Sequence, residues 1–230
     1  MGRTILITGA NRGLGYELAR QISESATVIG TARNPSDAQK LRELKNVHVV
    51  GMDVSSEGSI KSAMEEVKKL APNGIDELWN NAARNAVKGP ITEKIDTGEW
   101  LAEFQTNVIG QSIVTRLALP LLQKGQNAKV IFMSSGCGSV TERAGDDTLV
   151  VYSASKAALD MTVKYWHTAL KKEGIAVTAM DPGWVLTDMG GPEAQLAPEV
   201  SIGGMIKVVK ELTPASEPKL RAYDGSVHAW

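Results

Sequence analysis

Tyr152 and Lys156 carry the most specific chemical suggestion in this chain of 230 residues. Four positions is close to one helical turn, so on a helix the phenol and the ammonium share a face. A free phenol has a pKa of about 10, too high for ready proton exchange at neutral pH. A nearby ammonium favours the phenolate and lowers that value. A phenol tuned in this way can give a proton to a carbonyl oxygen while a hydride reaches the carbon. A Tyr-x-x-x-Lys pair also occurs by accident on helix surfaces, so it needs support from elsewhere in the chain.

Support comes from the N-terminus. Thr8-Gly9-Ala10-Asn11-Arg12-Gly13-Leu14-Gly15 follows the apolar run Ile5-Leu6-Ile7 and opens a helical pattern. Gly9 permits a tight turn, Gly13 lets the backbone approach a pyrophosphate, and Gly15 lets the helix pack close to the sheet. The helix N-terminus then offers N–H groups and a partial positive charge to the phosphates. A glycine triplet alone is a weak signal, but in a strand–turn–helix context it points to dinucleotide binding. The second strand ends Gly30-Thr31-Ala32-Arg33-Asn34, with no acid to bind a ribose 2′-hydroxyl. Arg33 is placed to hold a 2′-phosphate with its planar fork, and Arg12 is a second cation nearby. Either arginine alone is an ordinary surface residue. Together, with the acid missing, they favour NADP(H).

The elements that must position these groups can be read from periodicity. Strands are predicted at Ile5–Ile7, Thr27–Thr31, Val47–Met52, Ile75–Trp79, Lys129–Met133, Ile175–Met180 and Lys219–Tyr223. Between them lie helices over Arg12–Ser23, Asp37–Leu44, Ser56–Leu70, about Trp100–Leu122, Tyr152–Lys172 and Ser201–Leu212. Ser56 and Ser59 are candidate N-caps, and Gly174 is a fitting C-cap. Gly136–Gly145 and residues 183–197 read as loops. Alternating strands and helices predict an α/β fold: a Rossmann-type, doubly wound parallel sheet of about seven strands with helices on both faces. Each motif follows a predicted strand, where such sheets bind ligands.

The spacing T-G-x-x-x-G-x-G, followed by Tyr152-Ser153-Ala154-Ser155-Lys156, resembles the single-domain branch of the short-chain dehydrogenase/reductase family. The likeness covers nearly the whole chain and extends to further motifs. Phe132-Met133-Ser134-Ser135 matches the family's strand-end serine, which makes Ser135 the hydroxyl expected on the substrate oxygen and leaves Ser134 structural. Ser135 precedes Tyr152 by 17 positions, so this active-site loop is longer than in many members. Trp79-Asn80-Asn81-Ala82-Ala83 resembles the family's N-N-A-G, with Ala83 in place of the glycine. That departure either crowds the cofactor or shows that the backbone there needs no positive φ.

Asn107 matches the helix asparagine thought to hold a water beside the lysine, or else it is a packing residue. Asp53, with Val54, matches the contact to the adenine ring, although Asp53 could instead cap the next helix. Asp181-Pro182-Gly183-Trp184-Val185-Leu186-Thr187 resembles P-G-x-x-x-T, in which Val185 and Thr187 hold the carboxamide of the nicotinamide. Thr187–Pro192, Tyr223-Asp224-Gly225 and the terminal Trp230 look like the subgroup of Sniffer and C-factor-like carbonyl reductases.

The resemblance implies one catalytic domain over residues 1–230. It implies NADPH-dependent reduction of a ketone, aldehyde or quinone, with Tyr152 as proton donor and Lys156, Ser135 and Asn107 beside it. The carbonyl pocket is expected to be lined by residues after Ser135, by Trp184 and by the loop around Met189. Alcohol oxidation with NAD is disfavoured by the missing acid, and a non-catalytic nucleotide sensor by the presence of the full catalytic set. Members pair through their long helices, so a homo-oligomer, in the first instance a dimer, is expected, with Val108, Val114, Leu117 and Met161 serving that interface or the core.

A net charge of −1 gives no footprint for nucleic acid, and no apolar run reaches membrane-spanning length. No metal site is expected. The single cysteine, Cys137, forms no intrachain disulfide, and with no visible signal peptide the expected location is cytoplasmic.

Overall fold

In the central strands successive residues are apolar, so neither face of the sheet can be left to water. The computed structural model describes residues 2–92, 96–142 and 148–230. Eight strands form one sheet: β1 (Thr4–Ile7), β2 (Thr27–Ala32), β3 (Val47–Gly51), β4 (Glu77–Asn80), β5 (Lys129–Met133), β6 (Ala176–Asp181), β7 (Leu220–Ala222) and β8 (Val227–His228). Their order is β3-β2-β1-β4-β5-β6-β7-β8, and every pair is parallel except β7–β8. The order reverses between β1 and β4, so the loops leaving these two strands diverge and open a crevice at the carboxyl edge.

Alternation along each strand feeds two cores. Ile5, Ile7, Trp79, Ile131 and Met133 pack under α1 (Gly13–Ile22) and α7 (Pro198–Lys210), against Leu18, Ile22, Ile202 and Met205. Leu6, Leu78, Val130 and Phe132 face the other way. They pack under α3 (Glu57–Leu70), α5 (Gln111–Leu122) and α6 (Val150–Leu170), against Ile60, Val114 and Leu159. The remaining helices, α2 (Gln39–Arg42) and α4 (Thr97–Phe104), are short.

Local chemistry fixes the helix ends. Ser56 caps α3 by accepting from Ser59 N at 3.3 Å. Ser59 is not a cap: its hydroxyl accepts from Asp53 N at 2.9 Å. After α6 a 3₁₀ turn, Lys171–Glu173, ends at Gly174 in the left-handed region with φ 73°. Lys129 Nζ donates to the carbonyls of Val209 and Lys210, at 2.7 and 3.1 Å, and so fastens the end of α7 to β5.

The sheet departs from the sequence expectation in a few places. β8 is an added eighth strand, a two-residue return that pairs Arg221 with Val227 and Leu220 with His228. The expected continuous helix over 100–122 is α4 and α5 joined by a π-helical turn, Gln105–Gly110. A Cβ on Gly110 would lie 2.0 Å from the Val54 carbonyl oxygen, so only glycine lets this turn meet the loop after β3. The expected helix at 37–44 is a 3₁₀ turn at Pro35–Asp37 followed by α2. In the expected loop at 136–145, Gly136–Gly138 form a 3₁₀ turn, and residues 143–147 lie outside the described residues.

Gly15 shows how tightly α1 meets the sheet: a Cβ there would lie 2.2 Å from Gly9 O and 2.5 Å from Asn81 Nδ2. Gly15→Ala is expected to cost about 1–3 kcal/mol, lowering the melting temperature by roughly 2–4 °C per kcal/mol. Thermal unfolding followed by circular dichroism checks this, and an unchanged midpoint would mean that the turn relaxes freely.

Candidate active site

Loops from the carboxyl ends of β1, β4, β5 and β6 meet in one crevice. Thr8, the last residue before the glycine turn, ties two of them together. Its hydroxyl accepts from Asn81 N and Ala82 N, each at 3.0 Å, while Asn81 Nδ2 donates to Thr8 O at 2.9 Å and Gly9 O at 3.1 Å. Gly9 and Gly13 both have left-handed backbone, with φ 66° and 53°. No side chain caps the first turn of α1, which leaves its N–H groups facing the crevice. Asn11 flanks this turn, half-buried, and Leu14 packs against the core beneath it.

Arg33 is exposed and makes no hydrogen bond or ion pair among the described residues. Arg12 is also exposed. Its Nη1 lies 3.5 Å from Asp188 Oδ2, reaching across the crevice to the loop after β6. Gly13 approaches the same loop, since a Cβ there would contact Thr187 Cγ2 at 3.7 Å. Asp53 does not cap α3, contrary to one expectation. Its Oδ1 accepts from Ser55 N at 2.9 Å and Ser55 Oγ at 2.7 Å, a local turn at the crevice edge. Val54 is buried beside the π turn.

On the β4 side, Asn80 is fully buried. Its Nδ2 donates to Thr115 Oγ1 at 2.9 Å, and its Oδ1 has no partner among the described residues. Ala82 O accepts from Gln111 Nε2 at 3.1 Å. Ala83 needs no glycine, because its φ is not positive. Asn107 lies in the π turn with its side chain fully engaged. Oδ1 accepts from Arg84 N at 2.8 Å, and Nδ2 donates to Arg84 O and Ser155 Oγ, both at 2.9 Å. The asparagine therefore braces the loop after β4 against α6, one residue from Lys156.

Lys156 has no solvent exposure. Its Nζ donates to Met133 O at 2.6 Å and stands 5.4 Å from the centre of the Tyr152 ring. Burial pulls its pKa down to about 8, against the opposing pull of Asp160, Asp181 and Glu103. Tyr152 departs from expectation. Its pKa is raised rather than lowered, chiefly by burial, with Cys137, Asp181 and Glu103 adding to the rise and a hydrogen bond with Ser135 opposing it. The phenol holds its proton at neutral pH. The Ser135 hydroxyl accepts from Cys137 N at 3.1 Å, opening the 3₁₀ turn after β5.

After β6, Gly183 N donates to Asp181 Oδ1 at 3.0 Å, and Pro182 O accepts from Ser201 Oγ of α7 at 2.7 Å. Val185 is buried. The Thr187 hydroxyl donates to Val185 O at 3.3 Å and accepts from Gly190 N at 3.2 Å. Trp184, Leu186 and Met189 leave an exposed apolar rim beside this loop.

The family profile of short chain dehydrogenase matches residues 3–196. The chain belongs to the short-chain dehydrogenase family. It is 35% identical to an uncharacterized oxidoreductase of Schizosaccharomyces pombe over 98% of this chain and 97% of that protein. It is 34% identical to the C-signal protein of Myxococcus xanthus, over 68% of this chain and 93% of that one. Among solved structures, an NADPH-bound carbonyl reductase from chicken fatty liver superposes with a TM-score of 0.92 at 30% identity, covering 100% of this chain and 99% of the other. The carbonyl reductase Sniffer of D. melanogaster gives 0.92 at 29% identity, covering 100% of both.

Three features of this short-chain dehydrogenase were not foreseen from sequence. The π turn is one. Glu103, on α4, is another: it is fully buried and accepts from Ala86 N at 2.7 Å and Val87 N at 3.1 Å. The third is Asp160, one turn beyond Lys156, a spacing that was available as a signal. Among the described residues both its carboxylate oxygens and the Ser134 hydroxyl are buried with no hydrogen bond of good geometry, although Ser134 lies near enough to oppose the rise in its pKa. Burial raises the Asp160 pKa from 3.8 to about 7.

Between about pH 4 and about pH 7 the folded chain therefore holds a proton on Asp160 that the unfolded chain has released, so stability falls as pH rises through that window. Asp160→Asn removes this dependence. Relative to the parent, the variant is expected to gain about 1–3 kcal/mol on going from the bottom to the top of the window. Urea unfolding across that range checks it, and parallel curves for the two proteins would refute it.

Proposed function

We propose that this short-chain dehydrogenase is an NADPH-dependent reductase of ketone, aldehyde or quinone carbonyls, working as one catalytic domain with Tyr152 as general acid. The observation that carries the reading is a protonated Tyr152 beside the Ser135 hydroxyl and the buried Lys156 ammonium, at the carboxyl edge of the sheet. The fit to a nicotinamide dinucleotide rests on the uncapped first turn of α1, the orphaned buried Oδ1 of Asn80 and the unpaired Arg33. Arg33, with Arg12 near it, would hold a 2′-phosphate. Asp53 and Val54 would border the adenine, and Gly183, Val185 and Thr187 the carboxamide. The NADPH-bound chicken carbonyl reductase supports the same cofactor.

When bound, NADPH supplies the hydride. Ser135 orients the carbonyl oxygen through its hydroxyl, which can donate as the oxygen gains charge. Tyr152 gives that oxygen its proton. The alkoxide forming from a ketone or aldehyde is a stronger base than phenolate, so it can take the proton even from a phenol of raised pKa. Lys156 keeps positive charge under the ring and stabilises the phenolate left behind. Alcohol oxidation would need the phenolate at the start, which the burial of Tyr152 and its acidic neighbours oppose. The exposed apolar residues Leu101, Ile109, Met161 and Tyr165 on the outer helices suit a homodimer face, whereas Val114 belongs to the core.

NADPH oxidation with isatin, diketones and quinones tests the reading, and no turnover of any of them would overturn it. Tyr152→Phe is expected to lower kcat by about 10²–10⁴-fold, and kcat of the parent should fall as pH rises past about 8, where Lys156 loses its proton. Arg33→Asp should move preference from NADPH toward NADH. Equal kinetics of this variant and the parent with both cofactors would remove the basis for the assignment.

A further inference from the structure

Glu142, in the segment between Ser135 and Tyr152, reaches back to the C-terminal strand. Its Oε2 lies 2.7 Å from His228 Nδ1, and its Oε1 accepts from Ala229 N at 2.6 Å. The other ring nitrogen of His228, Nε2, lies 2.9 Å from Asp181 Oδ2. Asp181 in turn holds Gly183 N, at the head of the loop after β6. One imidazole thus stands between carboxylates on the two loops that flank the carbonyl side of Tyr152. Nδ1 is hydrogen-bonded to Glu142, whereas Nε2 meets Asp181 as a close charge contact outside hydrogen-bond geometry among the described residues, so neutral imidazole serves Glu142 alone and only imidazolium also attracts Asp181.

The bridge is fastened close to the chemistry. A Cβ on Gly136, next to Ser135, would lie 3.1 Å from Asp181 Oδ2 and 3.3 Å from His228 Cε1. The strap continues beyond His228: Thr141 Oγ1 donates to Trp230 O at 2.8 Å, and Lys164 Nζ stands 5.5 Å from the Trp230 ring centre.

We propose that His228, as an imidazolium, is a positioning residue that locks the segment around Thr141 and Glu142 to the loop opening at Asp181, and so shapes the mouth where a carbonyl compound meets Ser135 and Tyr152. Only the kinetic consequence of this rests on the reductase reading. The described titratable groups around His228 are acidic: Glu142 after β5, Asp181 at the end of β6, Asp224 in the β7–β8 turn and, on α6, Asp160, which keeps its proton up to about pH 7. Partial burial works against the ring's charge, but Glu142 and Asp181 outweigh it and raise its pKa above the ordinary 6.5. The bridge is therefore favoured at low pH, survives to a higher pH than an ordinary histidine would allow, and opens as pH rises through the raised value.

Three measurements test this on the whole protein: NMR of ring-labelled histidine, assigned with His228→Gln; hydrogen exchange of residues 139–142, corrected for intrinsic rates; and KM for isatin against pH in the parent, His228→Gln and Glu142→Gln. Both ring nitrogens should be protonated at about pH 6, and the ring should lose its proton at higher pH than an ordinary histidine. The KM of the parent should rise about three- to tenfold from about pH 6 to about pH 9, and that of each variant should be high and flat. Exchange at residues 139–142 should be faster in both variants than in the parent. A ring with one bare nitrogen at about pH 6, or superimposable KM profiles, overturns the proposal. Should His228→Gln fail to fold, Glu142→Gln and the histidine signals of the parent still decide it. Should the parent turn over no carbonyl compound, the reductase reading fails, while NMR and exchange still decide the bridge.

Discussion

An ammonium with no exposure to water is the most demanding group in this fold, and much of the crevice is built around Lys156. Met133 O takes one of its protons directly. The acids that support its charge come from three elements: Asp160 from its own helix α6, Glu103 from α4 and Asp181 from the end of β6. Two of those acids, Asp181 and Glu103, also raise the phenol of Tyr152. One set of carboxylates therefore does two things with one sign: it keeps the lysine charged and the tyrosine protonated.

Holding these charges needs a rigid surround, and the hydrogen bonds divide it into two halves. On the nucleotide side, Thr8, Asn81 and the tight fit of Gly15 bind the turn after β1 to the loop after β4. On the other side, Ser135, the loop opening at Asp181 and α6 meet around the phenol. Asn107 joins the halves, because its amide holds residue 84 with one end and Ser155 with the other. A π turn suits this post, since widening a helix by one residue re-aims a side chain without breaking the helix.

The central strands were legible because their apolar residues alternate into two cores, a pattern that survives without any knowledge of neighbours. The glycine turn and the Tyr152–Lys156 pair were legible because their chemistry depends on local spacing. The π turn was not, because what requires it is Gly110 meeting the carbonyl of Val54, a contact between distant parts of the chain. β8 was missed because two residues carry no periodic signal. The direction of the Tyr152 shift was misread for a related reason. Sequence shows the lysine one turn away but not the burial, nor the carboxylates that arrive from β6 and α4.

The long segment between Ser135 and Tyr152 poses a problem that local sequence does not solve. Lengthening a loop costs little in closure entropy, but it loosens whatever the loop is meant to position, and a site held an ångström too loosely loses much of its rate. The first described part of that segment is anchored not only by local turns but also to the last three residues of the chain, through Thr141 to Trp230 and Glu142 to His228 and Ala229. β8 is too short to add much to the sheet as a strand. Its worth lies in what it carries: turning back from the carboxyl edge of the sheet, antiparallel to β7, it holds a histidine whose ring reaches Asp181. The terminal strand and the long loop are thus two parts of one device, each poorly fixed without the other.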